Sequence, residues 1–189
     1  MIFSATAVAG AHLIRIEPRT DERGFFARVW CAKELGARGL NGRFVQSNLG
    51  VSRTRGTLRG LHYQLAPSAE AKLVRCTRGA IYDVIVDLRR DSVTYRRWFG
   101  VDLTAESHEL LYVPEGVAHG YQTLTENAEV CYETTQFYAP ERACGVRYDD
   151  PAFGIAWPLP VTVISQADRS WPLHGTERPV EEASSGDRR

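Results

Sequence analysis

The residues best suited to chemistry lie in a few short segments. The most informative reads Gly56-Thr57-Leu58-Arg59-Gly60-Leu61-His62-Tyr63-Gln64, where two glycines flank an arginine and a histidine follows in a strand-like run. With Leu58 and Leu61 as packing residues, a bulge at the glycine would re-aim Arg59 and His62 into one cavity. Lys72 opens another strand-like stretch, directly after the polar loop Ala66–Ala71. Tyr132 and Tyr138 stand six positions apart, so a regular strand would point both to one face. Asp168 lies near the C-terminal end, in Ile164-Ser165-Gln166-Ala167-Asp168. Each residue also has a plain structural reading: a core histidine bonded to a carbonyl, an arginine on the rim, a solvated lysine, half-buried tyrosines.

A further segment, Tyr112-Val113-Pro114-Glu115-Gly116-Val117-Ala118-His119-Gly120, carries the pattern Pro-x-Gly-x-x-His. It resembles the second conserved motif of cupins, whose histidine often binds a metal. The first cupin motif would need His-x-His followed by a glutamate, and this chain offers His62-Tyr63-Gln64. With those ligands missing, no metal and no other cofactor is expected, and the site must use organic acid–base groups.

Strands must position these residues. Lys72–Cys76 is followed by Gly79 and by Ala80–Leu88, which alternates with period two and is rich in β-branched residues. Further strands are expected at His12–Glu17, Trp98–Leu103, Glu109–Val113, Tyr121–Leu124 and Glu129–Phe137, with turn residues between them. That spacing is what an antiparallel sandwich or barrel produces. One helix is expected at about Cys31–Ala37 and a helical turn at Ser165–Ser170. Residues 1–173 are read as one domain. From His174 to Arg189 the composition turns to Gly, Thr, Glu, Pro, Ser, Asp and Arg, too little apolar surface to offset the entropy of ordering, so a disordered tail is expected there.

Composition narrows the partners. Lys+Arg and Asp+Glu are equal at 23 each, so no overall basic field would draw the chain onto nucleic acid. No apolar run approaches the roughly 20 residues that span a bilayer, and Met1–Thr6 lacks the features of a signal peptide. Cys31, Cys76, Cys131 and Cys144 show no CxxC spacing. Buried free thiols and a cytoplasmic location are therefore expected, with no membrane partner.

Taken together, the segments resemble the dTDP-4-dehydrorhamnose 3,5-epimerase family from about Ala11 to Pro172. The matching runs include Asp21-Glu22-Arg23-Gly24-Phe25-Phe26, Gln46-Ser47-Asn48, Leu58–Gln64, Ala71–Arg75, Asp83–Arg89, Pro114–Gly120, Asp149-Asp150-Pro151 and Gly154–Pro158. The resemblance implies an all-β, cupin-type antiparallel jelly-roll barrel that epimerises a nucleotide-linked 4-keto-6-deoxyhexose. It implies His62 as general base oriented by Asp168, Tyr132 as acid on the opposite face of the sugar, and Lys72 as the cation at the enolate oxygen. His119 matches a pocket histidine. Arg23, Phe26, Gln46, Asn48 and Arg59 match positions that hold the nucleotide and its diphosphate, and Tyr138 matches the aromatic that stacks on the base. The family pairs through extended N-terminal strands, so a homodimer is expected.

Such a set answers the chemistry's demands. A proton alpha to a ketone needs a base of suitable pKa and a charge at the developing oxyanion. Imidazole is the natural base near neutral pH, and a carboxylate behind it favours the imidazolium. Two departures concern the nucleotide: Ala27-Arg28-Val29 stands where the family usually carries a glutamate, and its Gln-x-Asn-x-Ser run becomes Gln46-Ser47-Asn48-Leu49-Gly50. Inversion at C3 alone, at C5 alone, another nucleotide carrier, a related ketoisomerase or dehydratase, and a non-catalytic sugar-binding cupin remain the alternatives.

Overall fold

A computed structural model describes residues 1–175. In chain order the strands begin with β1 (Ile2–Ala5), β2 (His12–Arg15), β3 (Arg19–Asp21) and β4 (Gly24–Phe26), followed by the helix α1 (Ala32–Gly36). The barrel continues through β5 (Gln46–Ser52), β6 (Thr57–Gln64), β7 (Lys72–Arg78), β8 (Ala80–Asp87) and β9 (Trp98–Thr104). Then come β10 (Leu110–Val113), β11 (Val117–Thr123), β12 (Ala128–Thr134), β13 (Ala143–Gly145), β14 (Val163–Ile164) and the helix α2 (Gln166–Arg169). One sheet has the order β1-β2-β10-β7-β12-β5 and the other β13-β6-β11-β8-β9. Their pairings are antiparallel except that β14 adds to β6 in parallel. The result is the expected all-β jelly-roll barrel.

Period-two alternation decides what faces the interior. On β8, Ile81 and Ile85 join a core with Val74, Cys76, Leu111, Tyr121 and Val130, drawn from both sheets. The residues of opposite parity, Val84 and Val86, join a second core with Leu61, Ala118, Val146 and Phe153 on the outer side. β8 is thus buried on both faces, which is why its run is almost continuously apolar. Each fully buried Ile, Leu or Val contributes roughly 1.5–3 kcal/mol. A third cluster, of Ile14, Leu35, Leu73, Leu110 and Tyr112, anchors α1 through Leu35.

Several boundaries shift. β11 begins at Val117, ahead of the expected Tyr121, and β12 ends at Thr134, short of Phe137. Tyr138 therefore lies beyond the strand, and the parity argument does not place it. Among the four free cysteines only Cys76 is buried; Cys31, Cys131 and Cys144 are partly exposed. His174, the first residue of the expected tail, is anchored: its backbone N–H donates to Asp150 Oδ2 at 2.5 Å and its ring meets the Tyr95 hydroxyl at 2.8 Å. Of the tail, residues 176–189 lie outside the described residues. No helix among the described residues is long and apolar enough to cross a membrane.

The bulge expected in β6 is present. His119 pairs with His62, but two residues later Tyr121 pairs with Arg59, so β6 uses three residues against two on β11. Gly60 takes φ +116°, and a Cβ there would sit 2.5 Å from Gly120 Cα and 2.8 Å from the His119 carbonyl oxygen. Gly60→Ala is expected to lower stability by about 3 kcal/mol, adding backbone strain to a clash with a backbone that has no room to retreat. The midpoint of urea unfolding measures this; an unchanged midpoint would contradict the close approach.

Candidate active site

The alternation that builds the core also builds the site. On β7 the interior face runs Lys72, Val74, Cys76, and on β12 it runs Val130, Tyr132, with Tyr132 opposite Val74. β5 continues the sheet, placing Asn48 opposite Tyr132 and Gln46 opposite Thr134. From the other sheet, β8 contributes Asp83 on the same face as Ile81 and Ile85, and β11 contributes His119. The bulge lets β6 present both Arg59 and His62. Lys72 and Tyr132 therefore face His62 across the space between two sheets.

That space is a cavity of two lobes. One, of ≈ 550 Å³, is lined by Arg59, His62, Lys72, His119, Tyr121, Tyr132 and Asp168 among others. The second, of ≈ 530 Å³, is lined by Gln46, Asn48, Gln64, Glu70, Tyr138 and Trp171. His62, Lys72, Tyr132 and Asp168 border both lobes. Each lobe falls within the size range of small-molecule pockets.

His62 Nε2 is 2.6 Å from Asp168 Oδ1. With Nε2 donating, Nδ1 is left to exchange a proton. Asp168 is held from two sides: the Ser165 hydroxyl caps α2 by accepting from Asp168 N at 3.0 Å, and Gly60 N donates to Asp168 Oδ2 at 3.3 Å. Serine followed three residues later by an acid is a helix-start pattern, but here the carboxylate turns to the imidazole. Burial alone would push the Asp168 carboxyl up; the hydrogen bond and charge of His62, then the Gly60 N–H, outweigh it and hold it below its usual value. Trp171 lies edge-on to the imidazole, with ring centroids 6.2 Å apart.

The opposite wall differs. Lys72 Nζ donates to the His62 carbonyl oxygen at 3.1 Å and lies 3.2 Å from Glu70 Oε1. Burial drives the Lys72 pKa down, and Glu70 and Asp83 oppose that shift. The Tyr132 phenol is pushed up, by burial first and then by Glu70, with Arg59 acting in the other sense. It stays protonated through neutral pH. His119 Nε2 is 2.7 Å from Asp83 Oδ1 in a fully buried pair. Arg59 is steered by Ser52 Oγ, which accepts from Nε at 3.0 Å, and by the Val51 carbonyl at 3.1 Å from Nη2.

Nine of the eleven expected site residues thus line the two lobes. Arg23 and Phe26 do not. They sit on the β3–β4 hairpin, which pairs only with itself and belongs to neither barrel sheet. Arg23 is tied to Asp21, and Phe26 is 77% exposed beside a separate cavity of ≈ 420 Å³. Arg28, in the Ala27-Arg28-Val29 run noted above as a departure, donates to Glu34 Oε1 at 3.0 Å. Sequence reasoning missed Glu70, Asp83, Gln64 and Trp171. Asp83 carried a signal, since it shares parity with Ile81 and Ile85 and so had to be a buried carboxylate. Among the described residues, no group of three or more His, Cys, Asp or Glu side chains is arranged to hold a metal ion.

Asp168→Asn provides a check on this wall. A carboxyl held below its usual pKa stabilises the fold above about pH 4 and loses that contribution as pH falls through its folded value. The stability gap between the parent and Asp168→Asn is expected to be widest near neutrality and to close in acid, read by denaturant titration. A gap of constant size would place the Asp168 charge outside the His62 pairing.

Comparison with known proteins aligns with this geometry. The family model described as dTDP-4-dehydrorhamnose 3,5-epimerase matches residues 5–175. A curated protein of that name from Methanothermobacter thermautotrophicus is 44% identical over 182 residues, covering 94% of this chain and 96% of its own length. A dTDP-4-dehydrorhamnose 3,5-epimerase from Bacillus anthracis, solved with TDP and PPi bound, superposes with a TM-score of 0.87 at 40% identity, covering 91% of this chain and 98% of that one. A Legionella pneumophila dTDP-6-deoxy-D-glucose-3,5-epimerase, solved with dTDP-4-keto-L-rhamnose, gives a TM-score of 0.84 at 37% identity, covering 91% and 92%.

Proposed function

This chain belongs to the dTDP-4-dehydrorhamnose 3,5-epimerase family, and from that membership we propose that it inverts C3, C5 or both of a 4-keto-6-deoxyhexose carried on a nucleoside diphosphate. The observation that carries the reading is the disposition of His62 on one sheet and Tyr132 with Lys72 on the facing sheet, all bordering one cavity. His62, backed by Asp168, removes the proton alpha to the C4 ketone. The electron pair moves onto the carbonyl oxygen, where Lys72 meets the enolate charge. Tyr132 returns a proton to the opposite face of that carbon, and the configuration is inverted. The phenolate and imidazolium then reset by exchange with water, so solvent hydrogen enters the sugar at each inverted centre.

The two-lobed cavity suits a sugar nucleotide, with the catalytic groups where the lobes meet. Arg59 is the cation for the diphosphate, since a planar guanidinium matches phosphate oxygens. Gln46, Asn48 and Tyr138 in the second lobe serve the nucleoside, with Tyr138 exposed enough to stack on a base. His119, locked by Asp83, lines the sugar lobe. The free thiols fit a reducing cytoplasm.

Proton NMR of a 4-keto-6-deoxyglucose nucleotide in heavy water tests the reaction. Deuterium is expected at C3, C5 or both, with the ketone still at C4; a ketone moved to C3 would identify an isomerase of another kind. His62→Ala is expected to slow that exchange by roughly 10²–10⁴-fold while leaving nucleotide-sugar affinity nearly unchanged. Exchange at the parent rate would remove His62 as the base.

The exposed hairpin supports a homodimer in which Arg23 and Phe26 of one protomer complete the cavity of the other. Phe25 and Phe26 are 51% and 77% exposed, a poor arrangement for a chain that stands alone. Mixing and re-annealing Arg23→Ala with His62→Ala is expected to recover about a quarter of parental activity, because half the dimers are mixed and each holds one intact site. No recovery from two inactive variants would show that each site is built within one chain.

A further inference from the structure

Glu70 has no part in the proton transfers above, yet it is the carboxylate closest to the catalytic cation. It lies in the loop between β6 and β7, two residues before Lys72. Its two oxygens divide their work: Oε1 lies 3.2 Å from Lys72 Nζ, and Oε2 accepts from Gln64 Nε2 at 2.8 Å. The side chains of Glu70 and Lys72 are 10% and 7% exposed, so water screens the pair poorly.

We propose that Glu70 is a positioning residue that fixes Lys72 in place as a cation and joins it to the segment carrying Tyr138. This rests on the epimerase reading for its catalytic meaning. An ammonium has three donors. Glu70 takes one and the His62 carbonyl takes another, which leaves the third for the cavity. The other groups around Lys72 do not substitute for Glu70. Asp83, from β8, is paired with His119 of β11. Asp168, from α2, is paired with His62 of β6. Tyr132, from β12, is a phenol, and Arg59, from β6, is itself a cation. Without Glu70 the ammonium would be buried with no direct ionic partner, which favours loss of its proton.

The second half of the inference runs through Gln64, whose side chain is nearly fully buried. Its Oε1 accepts from Ala139 N at 2.7 Å, and its Nε2, shared between Glu70 and the Ser68 carbonyl at 2.9 Å, also lies 3.2 Å from the Phe137 carbonyl. Tyr138 sits between those two backbone contacts, and its own N–H donates to Gln46 Oε1 at 3.2 Å. The Lys72–Glu70 ion pair, the Glu70–Gln64 hydrogen bond and the Gln64–Ala139 hydrogen bond therefore connect the sugar lobe to the nucleoside lobe.

The test is the pH dependence of Lys72 acetylation by acetic anhydride, read by peptide mass spectrometry on the free protein. Glu70→Gln keeps the shape and an acceptor oxygen but removes the charge, and its Lys72 midpoint is expected to fall by about one pH unit or more. Glu70→Asp retains a carboxylate one methylene short and is expected to fall between the two; it takes the same measurement if Glu70→Gln does not fold. In turnover, the alkaline limb of kcat should move to lower pH in Glu70→Gln while KM changes by less than about twofold. An unshifted midpoint overturns the inference whatever the activity of the parent. A parent that never exchanges deuterium overturns the epimerase reading instead.

Discussion

Where β6 passes β11, Gly60 and Gly120 approach so closely that a Cβ on either would lie within 2.6 Å of the other strand's backbone. The extra residue accommodated there reverses the parity of β6. Without it, Arg59 would share the outward face of Leu61 while His62 pointed inward alone. The same contact leaves the Gly60 N–H free of the ladder to meet Asp168. One local irregularity thus aims the Arg59 guanidinium, the imidazole and the carboxylate behind it into a single space. Opposite them β7 and β12 keep one register from Lys72 to Cys76, their irregularity lying beyond it between Glu129 and Val130, and Lys72 and Tyr132 need only the ordinary alternation of that stretch.

The two walls are tuned in opposite senses. On the β6 wall the carboxylate of Asp168 is kept ionised by its partners despite burial, so the imidazole has a standing negative charge behind it. On the facing wall burial favours neutral forms, holding the phenol protonated and pressing the lysine toward a neutral amine. A base that can accept a proton and an acid that still has one to give are what inversion requires. The lysine is the group at odds with its surroundings, and it is there that a buried carboxylate has been placed.

Much of this could be read from the chain before any coordinates. The β-branched alternation of Ala80–Leu88 announced a strand, though not that both of its faces are buried, and Gly60 between two buried leucines announced the bulge. The catalytic candidates belonged to segments whose order matched a family. What escaped was chiefly pairing between distant segments. Glu70 looked like one polar residue in a loop, because its value lies in Lys72 and Gln64 folding around it. Asp83 had the right parity, but its histidine comes from a strand 36 positions away. Tyr138 reached the expected cavity for a different reason from the one parity offered, since the strand ends at Thr134 and Gln46 and Gln64 hold the segment beyond it. Arg23 and Phe26 show the limit of single-chain reasoning: their sequence match points to the nucleotide, while their own chain leaves them on an exposed hairpin.

Two-sided proton transfer is the central claim, and stereochemistry tests it most directly. Replacing Tyr132 with Phe leaves His62, Asp168 and Lys72 in place, so the enolate still forms and can be reprotonated from the face it came from. The measurement is NMR of the recovered sugar nucleotide after incubation of Tyr132→Phe in heavy water. Deuterium entering the carbon next to the ketone with its original configuration retained is the predicted result. Inverted product formed at the parent rate would contradict the assignment of Tyr132 to the opposite face.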